Sequence, residues 1–348
     1  MARRLLATAS LGAFLALTSF ETMLAAPQGA EPAQAAAAAA AAVPRTPWGD
    51  PDIAGMYTTD DMRGIPRERP DEFGTRRFLT DAEYQARVKR DAESRAREDG
   101  RVGAFRNDVG TRTFRQTSLV IDPPNGRIPA LTAEGERRRA ARTRGSFGDG
   151  PFHTFEDFTL YDRCITRGAV GSFGPAIYGN GSTIVQGPGW VALSYEMVHD
   201  TRIIPLDGRP HIASRTRQYM GDARGRWEGD TLVVESANFT NKTAIAGVQH
   251  SEDLKLTERI RRVDAETLEY QVTVNDPRTY VAPWTMVLNL IAAPDKGMLP
   301  YECHEGNLGL RNILSAERAE DRSLEEDLKK GIVRPRKPVQ QPTGEAEQ

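Results

Sequence analysis

The chain of 348 residues reads as a mainly β protein: an antiparallel, lipocalin-like barrel or sandwich with a helical, Arg-rich N-terminal arm and a C-terminal helix. Three observations predict this. Beyond Phe152, short apolar runs recur with Gly, Asn, Asp and Pro between them at intervals of roughly 8–12 residues. Within the runs, alternate positions share character, as a strand with one buried face requires. Helix signals fall outside this region, in the charged segment before it and near the end.

The first element is a leader. MARR supplies a positive start, Leu5 to Phe20 an apolar core, and ETMLAA small residues for cleavage near Ala25 or Ala26. Residues 1–26 therefore read as a signal peptide, which places the mature protein outside the cytoplasm, periplasmic or secreted. An Ala/Pro-rich linker, 27–46, follows. Folded sequence begins at PWGDPDIAGMY, where Ile53, Gly55 and Tyr57 open a first strand. Residues 47–150 form the charged, partly helical arm. Thr80 and Glu83 make a capping box that starts a helix running to about Glu98. Leu119 to Ile121 is a short strand entering a Pro-Pro-Asn-Gly turn, and a second helix starts at a Thr132 cap.

The β domain is assigned to 151–311. GNGSTIVQGPGWVALSYEM is one hairpin, RWEGDTLVVESANF a second turning at Glu228-Gly229-Asp230, and LKLTERIRRVDAETLEYQVTVND a third turning at Asp264-Ala265-Glu266. APWTMVLNLIAA continues the sheet. A helix over 312–331 stops at Gly331, and the Pro/Gln/Glu-rich tail, 332–348, reads as disordered.

Composition narrows the function. A formal net charge of -2 gives no global attraction to nucleic acid. Beyond the leader, no stretch is apolar enough to span a bilayer. His304-Glu305 lacks the second histidine of a zincin helix, because Leu308 stands there, and no phosphate-binding or dinucleotide loop exists. No cofactor is called for. A metal site from His199, His211 and His304 has no local spacing behind it.

PWGDPDIAGMY, SLVIDPPNGRIPALT, DRCITRG, MVHDTRIIPLDGRPH, GDARGRWEGDTLVVESANFT, LTERIRRVDAETLEY and YECHEGNLGLRNILSAER occur in this order between Pro47 and Arg318. Together they resemble a family of exported, β-rich bacterial proteins without an assigned activity. The hairpin GRWEGDTLVVES is also similar to those of lipocalin-like barrels. The resemblance implies export and a β-rich fold, and it carries no catalytic residue.

Parity supplies the candidate site. Val191, Leu193, Tyr195, Met197 and His199 fall on one strand face, so His199 is expected inside, as a general base or as a hydrogen-bonded structural histidine. Leu254, Leu256, Glu258 and Ile260 likewise share a face, so Glu258 is expected to be buried, either beside His199 or salt-bridged to Arg259 or to an arginine of a neighbouring strand. Arg215, Arg217 and Tyr219 alternate as an anion cradle or as a solvated sheet face. His304 and Glu305 would complete the site or cap the helix that follows. Cys164 and Cys303 would be bridged in an oxidising compartment, or one would remain free.

The chemistry these residues favour is metal-free isomerisation, elimination or hydrolysis of a small polar or anionic organic molecule. His199 and Glu258 would act as base and orienter or acid, and Tyr195 and Arg217 would stabilise negative charge. The competing expectation is a non-catalytic envelope binding or scaffold protein, with His199 and Glu258 a structural pair.

Overall fold

The hairpins expected from the turn residues all form in the computed structural model, which describes residues 43–99, 108–141, 148 and 150–337. The leader, most of the linker and the last part of the tail lie outside these residues. Strands β3 (Gly181–Gly187) and β4 (Trp190–Tyr195) pair across the Gly-rich turn, and β5 (Thr201–Pro205) adds to β4. β6 (Asp222–Glu228) pairs with β7 (Thr231–Ala237), β10 (Lys255–Arg262) with β11 (Thr267–Asn275), and β12 (Trp284–Ala292) lies against β11. A two-stranded ribbon, β8 (Ala244–Ile245) and β9 (Val248–Gln249), stands apart.

The sheet runs β5-β4-β3-β1-β12-β11-β10-β7-β6, every ladder antiparallel. Its ends, β5 and β6, lie side by side, so nine strands make a nearly closed barrel. The segment expected to be an arm contributes to it directly. β1 (Gly55–Thr58) inserts between β3 and β12, and β2 (Val120–Asp122) pairs with the start of β12, while β1 pairs with its end. The alternation that predicts strands also decides what is inside: Leu256, Glu258 and Ile260 of β10 and Leu268, Tyr270, Val272 and Val274 of β11 are buried.

Helix α1 (Asp81–Asp99) begins at the expected capping box, with the Glu83 carboxylate 2.8 Å from the Thr80 amide. It packs on the extended segment 113–117 through backbone carbonyls. Arg87 donates to those of Phe114 and Gln116 at 3.0 and 2.5 Å, and the Tyr84 hydroxyl donates to that of Thr113 at 3.2 Å. α2 (Ala133–Ala141) starts at Thr132, whose hydroxyl accepts from the Gly135 amide at 3.0 Å. α3 (Gly168–Gly171) is a single turn at one end of the barrel.

α4 (Gly309–Lys329) buries Leu314 against the stacked rings of Phe152 and Phe158. The described start of the tail, 332–337, folds back onto α4. Arg334 pairs with Glu320 and Asp327 at 2.5 and 2.7 Å, and Arg336 with Glu317 at 2.6 Å. Cys164 and Cys303 form a disulfide across 139 residues, with Cα atoms 6.2 Å apart. Among the described residues no helix is long and apolar enough to cross a membrane.

Candidate functional site

Four strands send one polar side chain each into the barrel interior, and these meet in a single knot. Arg202 of β5 donates to both oxygens of Glu258 on β10, at 2.8 and 2.6 Å. The Tyr270 hydroxyl donates to Glu258 Oε1 at 2.9 Å, and the Ser236 hydroxyl lies 3.3 Å from Oε2 while accepting from Arg202 at 3.0 Å. Both charged side chains are almost fully buried, 3% and 1% exposed.

A carboxylate offers about four acceptor sites, and here two guanidinium N–H groups and two hydroxyls take them. Burial works against the charge on Arg202, but the Glu258 carboxylate and its hydrogen bonds outweigh it and hold the guanidinium well above its ordinary range. Tyr195 of β4 lies beside Arg202, and burial pushes its hydroxyl up to about 12. Phe173, just after α3, packs against Tyr195 and Tyr270 with ring centroids 4.9 and 4.6 Å away and plugs the interior over the knot.

The expected partnership of His199 with Glu258 does not form. β4 ends at Tyr195, and Met197–His199 is a short 3-10 turn with Val198 and His199 at φ of 66° and 45°. Face alternation applies only to extended backbone, so the count from Val191 breaks before it reaches His199, which ends exposed at the hairpin loop. Arg202, near the start of the next strand, takes the place beside Glu258 instead. Glu258 is salt-bridged rather than placed beside His199, but its partner is neither Arg259 nor an arginine of a strand next to β10, because Arg202 belongs to β5, which does not pair with β10.

The remaining predicted residues are scattered. His304 and Glu305 are exposed in the turn after the disulfide, and His304 Nε2 lies 3.3 Å from the Arg163 carbonyl. Residues 214–219 are turn rather than strand, so their alternation sets no common face. Arg217 is spent on the Glu252 carboxylate at 3.1 Å and on the Phe239 and Glu252 carbonyls, and Arg215 is exposed. Tyr219 is half-buried nearby.

The buried histidine is one that sequence parity passes over. His250 is 1% exposed, with Nδ1 2.9 Å from the Ser251 carbonyl and Nε2 2.5 Å from the Thr243 hydroxyl. The carbonyl can only accept, so Nδ1 carries the proton and Nε2 accepts from Thr243. Burial depresses its pKa. Among the described residues no three His, Cys, Asp or Glu side chains gather as a metal site.

A hollow lies elsewhere, between the barrel and the arm. It is a cleft of about 800 Å³, within the range of small-molecule sites. Its apolar wall includes Phe114, Val170, Ile245, Trp284, Met286 and Leu288; its polar wall includes Asp61, Arg87, Arg95 and Arg167. Among the described residues, two buried polar atoms of this lining have no partner: Nε1 of the fully buried Trp284 and Oδ2 of Asp61. Such atoms cost free energy unless something completes them. Burial also pushes the Asp61 carboxyl above its ordinary value, although its other oxygen accepts from the Arg112 amide at 2.5 Å.

No family model matches the chain, and no curated protein does. Two solved structures are similar over its barrel-sized portion. One is a secretary abundant heat soluble (SAHS) protein from Ramazzottius varieornatus, 12% identical, covering 39% of this chain and 87% of that one at a TM-score of 0.23. The other is a variant of the fluorescent protein UnaG, 14% identical, covering 40% and 88% at a TM-score of 0.21.

Proposed function

We propose that this is an exported binding protein for a small organic molecule with an apolar body, held in the cleft between barrel and arm. The observation that carries the reading is the cleft itself: about 800 Å³ with an aromatic and aliphatic wall and buried polar atoms left without partners. Binding is favoured over the isomerase, lyase or hydrolase chemistry built on His199 and Glu258. The acceptor sites of Glu258 are filled, and His199 stands at the surface rather than beside Glu258. The Cys164–Cys303 disulfide supports an oxidising compartment, in keeping with the leader-like N-terminus and with the resemblance to exported proteins.

The neutral probe N-phenyl-1-naphthylamine tests this. Its fluorescence should rise and saturate at one probe per chain. Gly171 lines the cleft, and a Cβ there would meet only the Arg167 side chain, at 3.5 Å. Gly171→Phe should therefore fill the hollow and abolish saturable binding while leaving the melting temperature close to wild type. A probe signal that never saturates, or one untouched by Gly171→Phe, would overturn the proposal.

A further inference from the structure

We infer that Arg167 is the anion anchor of this cleft, and that the ligand carries a carboxylate at one end of its apolar body. The inference rests on the cleft being a binding site and adds the ligand's chemical class.

Arg167 is held in place from both sides. The next residue, Gly168, has a φ of +76°, open to glycine at little cost, and a Cβ there would come within 3.2 Å of the Thr243 side chain. The Arg167 guanidinium lies over the Tyr161 ring, 5.7 Å from its centroid, and one Nη2 hydrogen goes to the Gly174 carbonyl at 3.1 Å. No other hydrogen bond and no carboxylate reaches the guanidinium among the described residues. Four of its five N–H groups are left to water or to a ligand.

The other deep arginines differ. Arg202 has the Glu258 carboxylate, and Arg87 fills its reach with two backbone carbonyls. Arg69, also short of partners, lines neither cavity. Arg167 lines two: the large cleft and an adjoining cavity of about 500 Å³ that it shares with Ala244. It therefore stands where the apolar wall gives way to a more polar space lined by Arg163 and Lys242 and by Glu156 and Asp162. Arg167 is partly exposed, and a cation partly withdrawn from water without a counter-ion pays a desolvation cost, which lowers its pKa. A bound anion would relieve that cost.

The geometry selects the anion. A guanidinium stacked on a ring presents its planar edge, and that fork matches a planar carboxylate. The cleft is also lined by Asp60, Asp61, Asp91 and Glu98, of which Asp60 is engaged by Asn180 and Lys296, Asp61 by the Arg112 amide, and Asp91 by the Thr113 hydroxyl at 2.7 Å. The disulfide fixes the surroundings. Cys164 precedes Arg167 by one short turn, and Cys303 follows Tyr301, whose phenol borders Tyr161 and Arg167.

The test is competition against N-phenyl-1-naphthylamine bound to the full chain, using decanoate and 1-decanol, which share an apolar body and differ at the head. Decanoate should displace the probe about ten- to a hundredfold more effectively than decanol, the size expected of a charge-assisted hydrogen-bonded pair. In Arg167→Gln that preference should vanish, with probe affinity changed less than about twofold, since the probe has no anionic head to lose. Equal displacement by the two competitors in the wild type overturns the anchor and leaves the cleft standing, and that comparison decides even if the variant does not fold. Arg167→Gln weakening probe and both competitors alike would make the residue structural. A wild-type chain that binds no probe sinks both the anchor and the cleft.

Discussion

Arg202 and Arg167 belong to the same fold, Arg202 fully buried and Arg167 partly exposed, and their surroundings are opposite. Arg202 meets a carboxylate, a serine hydroxyl and two tyrosines, and Phe173 plugs the space above them. Arg167 meets the Tyr161 ring, the Tyr301 phenol and the Gly174 carbonyl, with no carboxylate among the described residues, and opens onto two cavities. A charge that the protein itself neutralises is part of the scaffold, because ligation would have to break what already satisfies it. A charge the protein leaves unpaired beside a hollow is free to recognise something. The same contrast separates two histidines: His250 is sealed and fully hydrogen-bonded, and His199 is exposed on a turn.

The largest effect should come from breaking the sealed side of the contrast. Glu258→Ala strands the Arg202 guanidinium in the barrel interior, and an uncompensated buried charge costs about 3–5 kcal/mol. Urea denaturation should show that loss. Replacing the pair instead by Glu258→Met and Arg202→Met should recover much of it, since an apolar pair of similar volume is close to neutral in such positions. If Glu258→Ala were as stable as the wild type, the knot would not be a structural pin.

A smaller effect sharpens the contrast between the histidines. Burial depresses the pKa of His250 in the folded chain, so below the unfolded value of about 6.5 the unfolded state binds the extra proton first. Stability attributable to this residue is complete above that pH and is lost as pH falls toward the depressed folded pKa. The wild type should therefore lose stability more steeply than His250→Gln in this window, whatever fixed cost the substitution adds. Parallel stability curves for the two chains would mean that His250 is not held neutral by its burial.

Much of this is legible in the sequence wherever the backbone stays extended. Turn residues locate the hairpins, and the alternation in LKLTERIRR places Glu258 inside. The same rule applied to TRIIP finds Arg202, because Arg202 and Ile204 share a face two residues apart and both are buried. What alternation cannot report is where a strand stops. Nothing in SYEMVHD signals that Val198 and His199 take positive φ, so a parity count runs past the end of β4. The cleft is hidden for a different reason. Its walls come from α1, from the turn at Gly168–Gly171 and from β12, and only tertiary packing brings them together. A lone arginine such as Arg167 carries no local mark of lacking a counter-ion, since that is a property of its neighbours in space.

The smallest expected effect is also the one that separates the sequence-based site from the structural one. His199→Asn changes an exposed side chain on a residue whose backbone amide donates to the Glu196 carbonyl at 3.3 Å, and asparagine tolerates the positive φ there. Stability should move by no more than about 0.5 kcal/mol, as for other surface substitutions clear of packing and caps, and probe binding should not change. A His199→Asn chain that lost several kcal/mol would place the imidazole back inside the barrel, and one that lost probe binding would move the ligand from the Arg167 end of the cleft to the β4–β5 turn.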